Sequence, residues 1–206
     1  MTTDDERFRR AVASDDERTV SAESVATGMI AIFSDTHSTS GHELTGDALD
    51  AARKADAVVH AGDFTSDAAL EAFQSECDHL FPVHGNADDP SVKDRLPTAR
   101  VVEADGIRIA LTHRREGGQT GLAMFGRSHD ADVVVSGHTH RPTVIETDDV
   151  LLLNPGSHAD PRGNRPGFAV LESRVADDAN DSATQIEGEI RTPEGTRLAS
   201  IDYSNE

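Results

Sequence analysis

Short apolar runs alternate along the chain with polar residues that follow them directly. Five runs of three to five residues are rich in β-branched side chains and bounded by glycine or polar residues, which predicts strands. Each run leads into aspartate, asparagine or histidine. The runs cover residues 29–33, 57–60, 80–83, 107–111 and 133–135.

Helical spacing of apolar residues separates several of these runs, over 45–55, 66–76 and 119–127. Alternation of strands and helices favours an α/β layered fold. Asp105-Gly106 predicts a hairpin turn between two strands, and a last hairpin is expected over about 186–201. We therefore expect a mixed sheet or a two-sheet sandwich flanked by helices.

The chain of 206 residues is long enough for one domain of ordinary size. Its composition changes at Gly28, where the apolar runs begin. Residues 1–27 are polar and acidic and predict a solvated N-terminal extension, in which a short helix over about 4–14 is an alternative. The domain itself is expected over 28–203.

Acidic residues outnumber basic ones, 38 to 19, which gives a net charge of −19. This net charge argues against the binding of nucleic acids or anionic membranes, because both need a basic face on the protein. Only two of the basic residues are lysines, and the aromatic fraction is 4%, which favours a halophilic protein over a merely acidic one. A single cysteine, Cys77, and the absence of a visible signal peptide or membrane span lead us to expect a cytoplasmic protein.

Polar side chains at the ends of the predicted strands are candidates for one functional site. Functional clefts of open α/β sheets lie outside the carboxyl ends of the strands. Two pairs of candidates are separated by one residue, and an extended backbone would put both members of a pair on one face. The seven candidates are Asp35, His37, Asp63, Asn86, His113, His138 and His140.

Nitrogen and oxygen donors without a thiolate suit Mn²⁺, Fe, Zn²⁺, Co²⁺ or Ni²⁺ better than a structural zinc site. Seven donors exceed the four or so that one tetrahedral ion takes. Two ions that share a bridging carboxylate account for the set, and paired divalent ions suit the transfer of a phosphoryl group to water.

The same residues, in this order, resemble the metal motifs of the calcineurin-like metallophosphoesterases. The motifs are Asp35-x-His37, Gly62-Asp63, Gly85-Asn86-x-Asp88, His113 and Gly137-His138-Thr139-His140. Their spacing is most similar to the small YfcE-type phosphodiesterase branch of bacteria and archaea. The resemblance extends from about Met29 to Glu172 and includes Asn154-Pro155-Gly156-Ser157.

The resemblance implies two mixed sheets with flanking helices and a site for two divalent ions, manganese being favoured and iron, zinc, nickel or cobalt remaining possible. The first ion would be held by Asp35, His37, Asp63 and His140. The second would be held by Asp63, Asn86, His113 and His138, so Asp63 would bridge. A hydroxide between the ions would attack the phosphorus of a small phosphate ester, with no further catalytic residue.

Two positions depart from the motifs of the family. Ala87 stands where many members have a histidine that is thought to protonate the leaving group, which predicts a preference for good leaving groups. Arg114 stands where this branch usually has glycine. Either the loop is shaped differently or this arginine contacts the substrate phosphate. Asp88 is expected to support the ligands rather than to bind metal.

Two other functions stay open. One is a scaffold without activity, as in a trafficking subunit that shares the fold, and the other is a nuclease of the same superfamily. We expect a small phosphoester as the partner, without nucleic acid or membrane, and leave a homo-oligomer open. The residues do not identify the substrate.

Overall fold

The computed structural model of the protein describes residues 22–25, 28–104, 106–175 and 184–204. Within them the chain forms two six-stranded sheets and four helices. The strands are β1 Ala22–Val25, β2 Ile30–Phe33, β3 Ala57–His60, β4 Leu80–Pro82, β5 Ala99–Ala104, β6 Ile107–Thr112, β7 Val133–Val135, β8 Thr143–Glu146, β9 Leu151–Asn154, β10 Phe168–Val175, β11 Thr184–Arg191 and β12 Arg197–Ser204. The helices are α1 Gly46–Lys54, α2 Asp67–Glu76, α3 Pro90–Arg95 and α4 Gly118–Ser128.

Each sheet combines parallel and antiparallel strands. The first sheet has the order β12-β11-β10-β2-β3-β4, in which β2, β3 and β4 are parallel. The second has the order β1-β5-β6-β7-β9-β8, in which β6, β7 and β9 are parallel. This confirms the fold class, two mixed sheets flanked by helices, and decides against a single sheet.

The apolar residues of β2 are buried on both faces of the first sheet. Ile30 and Ile32 pack into the core between the two sheets, whereas Ala31 and Phe33 pack beneath α1 and α2. This follows from the alternation of side chains along a strand, and it explains why β2 is a continuous apolar run. A smaller cluster under α4 covers the outer face of the second sheet.

The sequence predicted three of the four helices within about one residue. Thr45 and Ser66 precede α1 and α2, and the Ser66 hydroxyl accepts the N–H of Ala69 at 3.2 Å. The exception is α3, which has six residues and begins at Pro90. A helix of this length is too short to show a helical period in the sequence.

Residues 22–25 belong to the segment that was expected to be a solvated extension, yet they form β1. This strand pairs in parallel with β5, Ala22 lying opposite Val101. The remainder of that segment, 1–21 and 26–27, with its candidate helix, lies outside the described residues, as does Asp105 of the hairpin turn. The boundary of the domain therefore stays a prediction.

The helices of the described residues are short, with 6 to 11 residues each. Among them, none combines the length and the apolar character that crossing a bilayer requires.

Candidate metal centre

The loops that follow the parallel strands of both sheets meet at one place and are held together by hydrogen bonds. In the first sheet, the N–H of Asp35 donates to the carbonyl of Gly62 at 2.9 Å. In the second, the N–H of Gly137 donates to the carbonyl of His113 at 3.0 Å. The N–H of His138 donates to Oδ2 of Asp35 at 3.0 Å and so joins the two sheets.

Two buried carboxylates lie between pairs of histidines. Oδ1 of Asp35 is 3.4 Å from Nε2 of His140 and 4.0 Å from Nε2 of His37. Oδ2 of Asp63 is 3.3 Å from Nε2 of His37 and 3.2 Å from Nε2 of His113. Five of the seven predicted residues thus form two overlapping groups, in each of which the potential ligand atoms lie within 4.8 Å of one another.

The other two predicted residues, His138 and Asn86, lie at the exposed side of these groups. The ring centroids of His138 and His113 are 5.4 Å apart. Asn86 lines a cavity with His113, and the N–H of the next residue, Ala87, donates to Oδ1 of Asp63 at 2.7 Å. All seven are therefore near one centre, with Asn86 and His138 facing its opening.

Five of the candidate ligands have left-handed backbone, which is rare for residues other than glycine. Their φ angles are 54° at Asp35, 47° at His37, 59° at Asp63, 70° at His138 and 54° at His140. The expectation that extended backbone aligns the pairs was wrong, because β2 and β7 end before them and tight turns bring the side chains round. Strained backbone of this kind persists only where the surroundings enforce it.

Two glycines allow the loops to approach so closely. A Cβ atom at Gly85 would lie 2.1 Å from Oδ1 of Asp63, and one at Gly137 would lie 1.9 Å from the hydroxyl of Ser34. Either side chain would push a candidate ligand or its neighbour out of place.

The hydrogen bonds of His113 and His140 leave one ring nitrogen of each facing the carboxylates. Nδ1 of His113 lies 2.7 Å from the carbonyl of Ala61, and Nδ1 of His140 contacts the carbonyl of Asp160. A carbonyl oxygen only accepts, so each Nδ1 donates its proton and each Nε2 faces a carboxylate. Both Nε2 atoms are buried without a hydrogen-bond partner. Buried Nε2 atoms beside carboxylates fit a divalent cation between them.

The electrostatics of the two carboxylates differ. Burial alone would raise the pKa of Asp63, but His113 and His37 hold it below its ordinary range. Burial dominates at Asp35 and raises its pKa, against the opposing influence of His113. Burial would lower the pKa of His113, yet the neighbouring Asp63 raises it above its ordinary value. Without a metal, this centre therefore attracts a proton, the place of which a divalent ion would take.

Asp88 joins the loop that follows β3 to the loop that follows β4. Its carboxylate accepts the N–H groups of Asp63 at 3.1 Å, Thr65 at 2.7 Å and Gly85 at 2.7 Å, and the residue is buried. This arrangement is that of a supporting carboxylate, as the sequence predicted. The buried His60 supports the same region, with Nε2 2.9 Å from the hydroxyl of Thr36.

The segment after β9 fixes the remaining loops. The amide of Asn154 donates to the carbonyl of Gly137 at 2.7 Å, next to His138. The hydroxyl of Ser157 donates to the carbonyl of Asp35 at 2.7 Å. Both contacts hold this segment against the loops that carry the candidate ligands.

Three arginines lie around the centre in different roles. Arg115 packs over the ring of Phe125 at 4.1 Å, whereas Arg114 is exposed and lines the cavities on both sides of His113. Arg162 is exposed, and its Nη2 lies 3.3 Å from Nε2 of His37. This contact has no specific signal in the sequence, because a loop rich in proline and glycine does not indicate its own path.

Comparison with known proteins finds relatives of most of this chain. Residues 29–175 match the sequence profile of the calcineurin-like phosphoesterase superfamily domain. A protein named "probable metallophosphoesterase" from Methanothermobacter thermautotrophicus is 36% identical over 150 residues, which cover 69% of this chain and 84% of the relative. A phosphodiesterase of Methanocaldococcus jannaschii is 29% identical over 164 residues, covering 70% and 92% respectively.

Solved structures share the fold at lower identity. A predicted phosphoesterase from Streptococcus pneumoniae is 23% identical with a TM-score of 0.66, and the match covers 88% of this chain and 99% of that one. Vacuolar protein sorting 29 from Cryptosporidium parvum is 20% identical with a TM-score of 0.69, covering 87% and 99%. At these identities the likeness shows the fold alone. The function has to be argued from the residues of the candidate metal centre.

Proposed function

Because the chain belongs to the calcineurin-like phosphoesterase superfamily, we propose that it is a phosphodiesterase that hydrolyses a small phosphate ester at a centre for two divalent ions. The observation that carries the proposal is the pair of buried carboxylates, each of which lies within 4.0 Å of the Nε2 atoms of two histidines. A relative named as a phosphodiesterase supports the diester over the monoester.

We assign the ligands in two sets that share Asp63. Asp35, His37, Asp63 and His140 would hold one ion, and Asp63, Asn86, His113 and His138 the other. The position of Oδ2 of Asp63, 3.3 Å from His37 and 3.2 Å from His113, supports its role as the bridge. Manganese is our first choice of metal, and iron, zinc, nickel and cobalt suit the same donors.

The residues of the chain would hold the ions and orient the substrate, and the ions, when bound, would lower the pKa of a water and neutralise phosphate charge. The Nδ1 contacts of His113 and His140 fix the orientation of both rings. Arg114 and Arg162, at the rim of the centre, would bind non-bridging phosphate oxygens through their planar guanidinium groups. Ala87 offers no proton to the leaving group, so we expect esters with acidic leaving groups to react fastest.

The test combines metal content with turnover of bis-p-nitrophenyl phosphate. We expect two equivalents of metal by elemental analysis and hydrolysis that depends on added Mn²⁺ and stops with EDTA. Asp63→Asn and His140→Ala should lose bound metal and turnover while the fold persists, because these residues follow strands and lie outside the apolar core. Asp50→Asn, on the exposed face of α1, is the matched control and should behave as the wild type.

Unchanged metal content and rate in Asp63→Asn or His140→Ala would contradict the assignment. Inactivity with every metal offered would favour the scaffold function, and cleavage of single-stranded DNA would favour the nuclease. The full set of candidate ligands speaks against the scaffold, and the net charge of −19 speaks against the nuclease.

A further inference from the structure

A small cavity of about 290 Å³ lies beside the candidate metal centre, on the side of Asn86 and His113. Its walls come from the loop after β4, from α3, from the residue before β5, and from the end of β6 with the loop that follows. Three of its nine lining residues are basic and none is acidic, although acidic residues outnumber basic ones 38 to 19 in the whole chain. The lining consists of His84, Gly85, Asn86, Lys93, Thr98, Thr112, His113, Arg114 and Arg115.

One of the two lysines of the chain is placed in this cavity. Lys93, on α3, is half-buried, and its Nζ donates to the carbonyl of Asn86 at 2.9 Å. A lysine ammonium has three protons to donate, so this contact holds the group at the cavity wall and leaves it able to bind an anion. The other lysine, Lys54, is exposed on α1 and pairs with Asp50.

The neighbouring arginines complete a cationic wall. Arg115 is held by its contact with Phe125, and Arg114 lies between this cavity and the larger one on the far side of His113. The hydroxyl-bearing Thr98 and Thr112 add polar lining. Charged and hydroxyl donors without a carboxylate suit a phosphate group.

We propose that this cavity binds a second phosphate group of the substrate, beside the phosphate that is cleaved, and that Lys93 selects for it. This inference rests on the proposed function and narrows its substrate class to phosphoesters that carry a further phosphate on the same molecule. The volume lies at the lower end of the range for small-molecule sites, which suits a phosphate group with its immediate attachment.

Two substrates that share the scissile bond and the leaving group separate this inference from the proposed function. Thymidine 5′-(p-nitrophenyl phosphate) has one phosphate, and its 3′-phosphorylated form has two. We expect the Mn²⁺-loaded protein to prefer the latter by at least about tenfold in kcat/KM. Lys93→Gln should lose most of that preference, Lys93→Arg should keep it, and Lys54→Gln is the matched control and should also keep it.

Binding without metal gives a second readout. Inorganic phosphate titrated into the EDTA-treated protein, followed by calorimetry, should bind to the wild type and Lys54→Gln but at least about tenfold more weakly to Lys93→Gln. Equal kcat/KM for the two esters would overturn the inference even if the protein is an active phosphodiesterase. If the protein is inactive on both esters, the proposed function fails, and phosphate binding that depends on Lys93 would still support an anion site in this cavity. Phosphate binding combined with equal kcat/KM would mean that the cavity takes free phosphate only, which overturns the substrate class.

Discussion

Single residues at the metal centre are constrained by space as much as by chemistry. Gly85 and Gly137 carry no donor side chain, yet both lie where a Cβ atom would collide with Asp63 or Ser34. The left-handed φ angles of Asp35 and Asp63, 54° and 59°, bend the chain sharply at the same place. The ligand positions therefore depend on neighbours that bind nothing.

Gly85→Ala tests this dependence. The added methyl group would lie 2.1 Å from Oδ1 of Asp63, so we expect the bridging carboxylate to shift and metal affinity to fall. Overpacking of this kind costs about 1–3 kcal/mol of stability. Metal titration and thermal unfolding measure the two effects.

Gly41→Ala is the matched control, because its Cβ would have its nearest neighbour, an oxygen of Glu43, at 4.0 Å. Equal metal affinity in the two variants would show that the close approach at Gly85 is not needed for binding.

At the scale of the elements, His158 joins the segment after β9 to the loop that precedes α1. Its Nε2–H donates to the carbonyl of His42 at 2.8 Å, and its ring packs edge-on against Phe33. Burial lowers the pKa of His158 to about 4. The protonated ring is therefore excluded from the folded protein at neutral pH.

This burial predicts a pH dependence of stability. Unfolded histidine titrates near 6.5, so the neutral ring contributes fully to stability above about pH 6.5, and the contribution is lost as the pH falls towards about 4. His158→Gln keeps an amide donor but does not titrate, so its free energy of unfolding should fall less over that range. Denaturant unfolding of the EDTA-treated protein from pH 7 to pH 4 measures this without interference from metal loss.

The exposed His79 provides the control, because His79→Gln should follow the wild-type profile. Parallel profiles for wild type and His158→Gln would rule out the buried ring as a cause of acid destabilisation. The buried His60, whose pKa is lowered well below its ordinary value by burial, acts in the same direction and remains in both variants.

Elements with a strong local pattern could be predicted from the sequence. The run that forms β2 is apolar on every residue because both of its faces are buried, and α1 and α2 have helical spacing after Thr45 and Ser66. By contrast, β1 has a mixed sequence, Ala22–Val25, and is defined by its pairing with β5. Long-range pairing of this kind has no local signature.

The candidate site also has features that the sequence predicts and features that it does not. The seven candidate ligands could be named from the motifs, because metal binding needs donor side chains of these types, and their role as ligands stays a prediction. The left-handed turns at His37 and His140 could not be predicted, since the sequence alone suggests extended backbone there. The approach of Arg162 to His37 could not be predicted either, because it depends on the path of a loop across the molecule.

For the whole molecule, a net charge of −19 predicts a stability that depends strongly on salt. Repulsion among like charges weakens a compact fold, and salt screens it. We expect the Tm to rise between about 0.1 M and about 2 M KCl, as a halophilic protein requires. Differential scanning calorimetry measures the rise.

A variant with fewer charges provides the control. Replacing the exposed Asp78, Asp148 and Glu194 by their amides should raise the Tm at low salt and reduce its dependence on KCl. A Tm that does not change with KCl in the wild type would contradict the halophilic interpretation.

The centre takes its donors from both sheets, Asp35 and Asp63 from the first and His113 and His140 from the second. Ions bound there would therefore clamp the two halves of the molecule to each other, and they would bind the unfolded chain far less well. Proteases that attack the opened chain would then remove the ion-free protein first. In a cell starved of the metal, the protein would therefore be degraded faster than its metal-loaded form.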